Sequence, residues 1–73
     1  MNTTELNVAM VRKGVNVLHL AKVLKRSHVT FNKKRCGDIP FDTREIMMLA
    51  GELSLSMNQV NEIFFDGKLH DGN

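Results

Sequence analysis

Residues 15–37, VNVLHLAKVLKRSHVTFNKKRCG, decide how this chain folds. Val17, Leu20, Ala21 and Leu24 follow the i, i+3, i+4, i+7 spacing of one helix face, with Asn16 before them as an N-cap. Ser27 then caps a second helix that runs to about Lys34 or Arg35. Only Phe31 in the middle of that helix is strongly apolar, and Val29 lies off its face. Leu20-Ala21, Leu24, Ser27 and Phe31 are the positions at which two steeply crossing helices must touch. Ala21 is small where the second helix passes close, Leu24 and Phe31 fill the angle, and Ser27 restarts the helix after a minimal turn. A helix with so narrow an apolar contact lies on the surface of the domain and turns its outer face to solvent.

The flanking sequence supplies the rest of a small helical domain. Asn2 with Glu5 predicts a capped first helix whose inner face is Leu6, Ala9 and Met10, closed by Arg12, Lys13 and Gly14. Gly37 and Pro40 break the chain after the second helix of the pair. Asp42 with Glu45 predicts a capping box, and Phe41 with Ile46 a hydrophobic staple, opening a fourth helix with Ile46, Leu49, Ala50 and Leu53 inward. Ser56 with Gln59 opens a fifth, whose inner face is Val60, Ile63 and Phe64. The expected fold is all-α, a five-helix bundle containing a helix-turn-helix. It forms a single domain over residues 1–66, followed by a flexible polar tail at 67–73. A chain this short has a small core, so a partner or second copy would stabilise it.

Charge is divided unevenly. No acid occurs between Glu5 and Asp38, a stretch holding Arg12, Lys13, Lys22, Lys25, Arg26, Lys33, Lys34 and Arg35. From Asp38 onward seven acids face only Arg44 and Lys68, so the net charge of +2 conceals a dipole along the chain. A basic block that coincides with a helical pair points to a polyanion, and phosphate neutralisation is the main source of nucleic-acid affinity. The plain alternative for the block is a solvated lysine-rich face, and for the motif an ordinary helical pair.

Other classes fit less well. The apolar runs are too short to span a membrane, and Glu5 and Asn7 stand where a signal peptide's apolar stretch would begin. The lone Cys36 cannot form an internal disulfide, which suits a reducing cytoplasm. His19, His28 and His70 show no metal-ligand spacing with Cys36 or one another, and no paired carboxylates or phosphate loop appear. No metal, cofactor or enzymatic activity is expected. With Phe the only aromatic, stacking on single strands has few platforms.

Residues 15–37 resemble the helix-turn-helix of the Cro and phage-repressor family. The later run FDTREIMMLAGELSLSMNQVNEIFF resembles the fourth and fifth helices of its short phage-encoded members. The similarity extends over about residues 4–65. It implies a single-domain, usually dimeric regulator that binds operator DNA in a temperate phage's lysis–lysogeny switch. By that resemblance the base-reading face is His28, Val29, Asn32 and Lys33, starting from the Ser27 cap. Asn32 would pair bidentately with adenine, Lys33 would reach guanine or a phosphate, and Val29 would meet a thymine methyl. Lys34 and Arg35 would hold the DNA backbone, with Asn16 and Lys22 as further phosphate contacts and Lys25 and Arg26 adding charge in the turn.

Three positions depart from that family's pattern: Val17 where glutamine is usual, Lys25 where glycine is usual, and Arg26 where an apolar residue is usual. A lysine held at positive φ costs on the order of 1 kcal/mol. With the acidic C-terminal half, these departures motivate a second expectation: an antirepressor or modulator that docks on a phage repressor's DNA-binding domain. Met47, Met48, Met57 and Phe65 fall beside or off the core stripes and suit either core packing or a homodimer face.

Overall fold

The structure is a computed structural model that describes residues 1–67. Among them are five helices and no strand: α1 Thr3–Lys13, α2 Val17–Val23, α3 His28–Arg35, α4 Thr43–Glu52 and α5 Met57–Phe64. The polar tail expected at 67–73 lies, Gly67 apart, outside the described residues. No helix among the described residues is long and apolar enough to cross a membrane.

The helix starts follow the sequence closely. Asn16 Oδ1 accepts from the His19 N–H, and Ser27 Oγ from the Thr30 N–H. Asp42 with Glu45 and Ser56 with Gln59 both form complete capping boxes. α1 differs. Asn2 Oδ1 accepts from the Glu5 N–H, but the return bond from Glu5 is not made. The Asn2 N–H instead donates to the Ile63 carbonyl at 2.7 Å, so a tertiary bond to α5 replaces the local one.

The helix ends share one device. After α1, α2, α3 and α4 the chain passes through a left-handed residue: Gly14 (φ 72), Lys25 (φ 57), Gly37 (φ 90) and Ser54 (φ 54). At each, the residue's N–H donates to a carbonyl three back and the next N–H to a carbonyl five back. In the α2–α3 turn these bonds are Lys25 to Lys22 at 3.1 Å and Arg26 to Ala21 at 2.9 Å. This is the Schellman arrangement, which satisfies carbonyls left over at a helix end. Lys25 and Ser54 adopt it with a Cβ, which glycine would not carry.

The core is one cluster contributed by all five helices and the loop before α4. Leu6, Leu20, Phe31 and Leu49 are inaccessible to solvent. Phe41, the residue before the Asp42 cap, packs edge-on between Phe31 (centroids 5.9 Å apart) and Phe64 (5.6 Å), so a short aromatic row ties α3 to α5. Val17 is half-buried against the core, which accounts for an apolar side chain where the resemblance implied glutamine. Met48 also packs against the core, so the expected four-residue homodimer face loses it; Met47, Met57 and Phe65 remain exposed.

Replacing Lys25 or Ser54 by glycine relieves the left-handed strain at the cost of a more flexible unfolded chain. Each single change is expected to raise stability by about 0.5–1 kcal/mol. The midpoint of urea unfolding measures it, and an unchanged or lower midpoint for both variants would contradict the strain.

Candidate nucleic-acid interface

α2 and α3 pack together through Leu20, Ala21, Leu24 and Phe31, all buried, as the spacing required. That anchorage fixes which side of α3 faces outward. His28, Val29 and Lys33 are exposed, and Asn32 is half-buried beside them. Lys22 and Lys25, on the preceding helix and turn, are exposed as well. Lys22, Lys25 and Lys33 have no acidic partner among the described residues. Asn16 and Ser27 are exposed too, but their side-chain oxygens are occupied as caps.

Two expected phosphate contacts, Lys34 and Arg35, and the turn cation Arg26 are engaged within the protein. Lys34 turns inward: it is 7% exposed and its Nζ donates to Glu45 Oε1 at 2.6 Å, near the face of Phe41. It lies three residues after Phe31, on the same side of α3, so helical geometry carries it into the core rather than toward a ligand. Arg26 Nε donates to Glu45 Oε2 at 3.0 Å, and its guanidinium lies 3.9 Å from Asp42. Arg35 is half-buried. Its Nε and Nη2 donate to Asn32 Oδ1 at 3.2 and 2.9 Å, and its Nη1 to Asn7 Oδ1 of α1 at 2.9 Å. The Arg35 carbonyl in turn accepts from the Thr3 hydroxyl at 3.1 Å.

Sequence reading missed Glu45 as the centre of this arrangement. Glu45 is 3% exposed and accepts from Lys34, from Arg26 and from the Asp42 N–H at 3.0 Å. Burial pushes its carboxyl up, but the bonds from Lys34, the Asp42 backbone and Arg26 outweigh burial and hold it below its ordinary value of 4.5. One signal was present: Glu45 stands four before Leu49 and eight before Leu53, on the buried stripe of α4. An acid in that register needs cations, and Arg26, in a turn position where the resemblance implied an apolar residue, is one of them. Asn7 carried no signal, because its partner lies 28 residues away.

No protein-family model, curated protein or solved structure matches the chain.

The remaining site is an exposed helix face edged by three unpaired lysines, with Val29 (56% exposed) and Leu18 (64% exposed) as apolar points on the same helical pair. Cys36, at the end of α3, is exposed. No group of three or more His, Cys, Asp or Glu that could hold a metal occurs among the described residues.

The Glu45 cluster generates two expected outcomes. Lys34→Met leaves a buried carboxylate with one charged donor fewer and is expected to cost on the order of 3 kcal/mol in urea unfolding at pH 7. The folded-state pKa of Glu45 lies below its unfolded value, so its contribution is complete above pH 4.5 and is lost as pH falls through the folded value. Glu45→Gln retains a side chain able to close the capping box. Its stability is therefore expected to fall less than the wild type's as pH drops below about 4.5. Parallel curves for the two proteins would contradict the assignment.

Proposed function

We propose that this chain is a small phage-type transcriptional regulator that binds operator DNA in its bacterial host's cytoplasm through the outer face of α3. The observation that carries the reading is the surface left once the internal contacts are accounted for. Lys22, Lys25 and Lys33 are exposed and unpaired around His28, Val29 and Asn32, on a helix anchored behind by Phe31. A helix held this way suits entry into a major groove, with lysines at its edges for phosphates. The resemblance to Cro-type and repressor-type helix-turn-helix sequences supports the same reading, and a dimer through Met47, Met57 and Phe65 would present two such helices.

A second reading is an antirepressor that binds a phage repressor's DNA-binding domain, alone or together with DNA. It is favoured by the withdrawal of Arg26 and Lys34 into the Glu45 cluster, which leaves fewer cations for phosphates. The exposed Leu18 and Val29 would supply its apolar anchor. Co-purification with a cognate repressor separates the two readings.

The internal pairing makes the DNA reading quantitative. If only Lys22, Lys25 and Lys33 neutralise phosphates, the logarithm of affinity falls against the logarithm of salt with a slope of about −3 per protomer. Were all eight basic-block cations involved, the slope would be about −7. Lys33→Ala is expected to flatten the slope by about 1. A gel-shift titration on duplex DNA measures both, and absence of any retarded complex at 50 mM salt would refute the DNA reading.

A further inference from the structure

α1 carries two apolar stripes, and the core uses only one of them. Leu6, Ala9 and Met10 are buried against the other helices. On the opposite side Thr4, Val8 and Val11 follow the i, i+4, i+7 spacing, and Val11 is 80% exposed. The outer face of a surface helix is ordinarily polar, so a second stripe of β-branched side chains marks a face suited to contact. Beside the stripe, between α1 and α5, runs a groove of about 150 Å³. The buried Ala9 and Ile63 and the stripe residue Val8 line it, together with the exposed Glu5, Arg12 and Glu62. Those three charged side chains have no ionic partner among the described residues.

We infer that this face docks a second copy of the chain, α1 against α1, antiparallel about a twofold axis. The face carries its own complement: an apolar ridge beside a groove, and an acid near one end with a base near the other. A twofold contact requires that property, because one patch must serve both copies. Glu5 and Arg12 are seven residues apart, about two helical turns, and both line the groove, so they flank the stripe on the side toward α5. An antiparallel twofold pair keeps that side in common and reverses the ends. Arg12 of each copy then stands beside Glu5 of the other, twice over. A parallel twofold pair would put them on opposite sides. Glu5 is in the first turn of α1 and Arg12 in the last, so the antiparallel pair also opposes the two helix dipoles. The apolar ridge supplies affinity, and the charges select the orientation. A partner of a single charge sign would satisfy only half of the face. The contact goes beyond the DNA reading, since it uses none of Lys22, Lys25 and Lys33, and it is separate from Met47, Met57 and Phe65.

Sedimentation equilibrium tests this on the full chain carrying Met47→Lys and Met57→Lys, which charge the other exposed apolar face so that any dimer reports α1. Both methionines and Val11 are at least 70% exposed, so these positions tolerate substitution without loss of the fold, which circular dichroism checks. That protein is expected to dimerise with a Kd on the order of 100 µM. Adding Val11→Glu is expected to weaken the dimer by at least about 10-fold. Arg12→Glu sets like charges together and is expected to weaken it as well, whereas Glu5→Arg combined with Arg12→Glu restores it. A monomer at about 1 mM overturns the proposal. A dimer indifferent to Val11→Glu overturns it too, as does a charge swap that leaves the dimer as weak as Arg12→Glu alone. If Val11→Glu does not fold, the charge-swap comparison decides. Duplex binding through α3 is measured separately by gel shift, so failure of this contact and failure of the DNA reading are distinct outcomes.

Discussion

The arrangement depends on one buried carboxylate. Glu45 receives Lys34 from α3, Arg26 from the α2–α3 turn and the backbone N–H of its own N-cap residue, Asp42. The α2–α3 turn, α3 and the start of α4 therefore meet at two oxygen atoms. α3 needs such a fixture because its apolar anchorage is so thin: of its eight residues only Phe31 and Lys34 are buried. A single aromatic contact leaves a short helix free to roll about its axis. A second anchor on the same face, three residues on, removes that freedom and sets which side chains point outward. Burying charge is a poor route to stability, since desolvation offsets much of the attraction. What the pair provides is geometry, and Arg26, itself exposed, keeps the carboxylate from facing one cation alone.

The same economy governs the helix ends. Four successive helices stop by the same left-handed turn, so their connections are short and their axes are fixed relative to one another. Two of those turns carry glycine and two carry residues for which the conformation is strained. In the α2–α3 turn the strained residue is Lys25, which stays exposed and unpaired. A lysine there places a cation at the mouth of the helical pair in return for strain of on the order of 1 kcal/mol. That exchange makes sense if the turn faces a polyanion or an acidic surface, and little sense if it faces only water.

Much of this was legible in the sequence, for a physical reason. Caps and helical stripes are local: Asn16, Ser27, Asp42 and Ser56 act on N–H groups within three residues, so all five helices could be placed from the chain alone. The rest was not legible because it is nonlocal or depends on rotation. The Glu5 half of the first capping box was lost to a bond between Asn2 and Ile63, across the whole fold. Met48 looked free because it falls beside the stripe of α4, yet its long side chain reaches the core. Lys34 looked like a phosphate contact because lysines on a polar helix usually are exposed; its place three residues after Phe31 and the position of Glu45, 11 residues later, together turn it inward.

The opposite fates of Lys33 and Lys34 show why charge counting overstates such a surface. The basic block of eight suggested a strongly cationic face, but a cation contributes to a surface field only where no acid neutralises it. Arg26 and Lys34 are neutralised by Glu45 in holding α3 to α4, while Arg35, bonded to the neutral Asn32 and Asn7, keeps its charge but is committed to holding Asn32 and α1. Three of the eight thus act on the protein itself, setting the angle, the rotation and the side-chain presentation of the exposed helix. Adjacent residues on a helix point about 100° apart, so neighbours of like charge can serve opposite ends. Lys33 stands exposed and unpaired on the outer face, and Lys34 determines the angle at which Lys33 is offered.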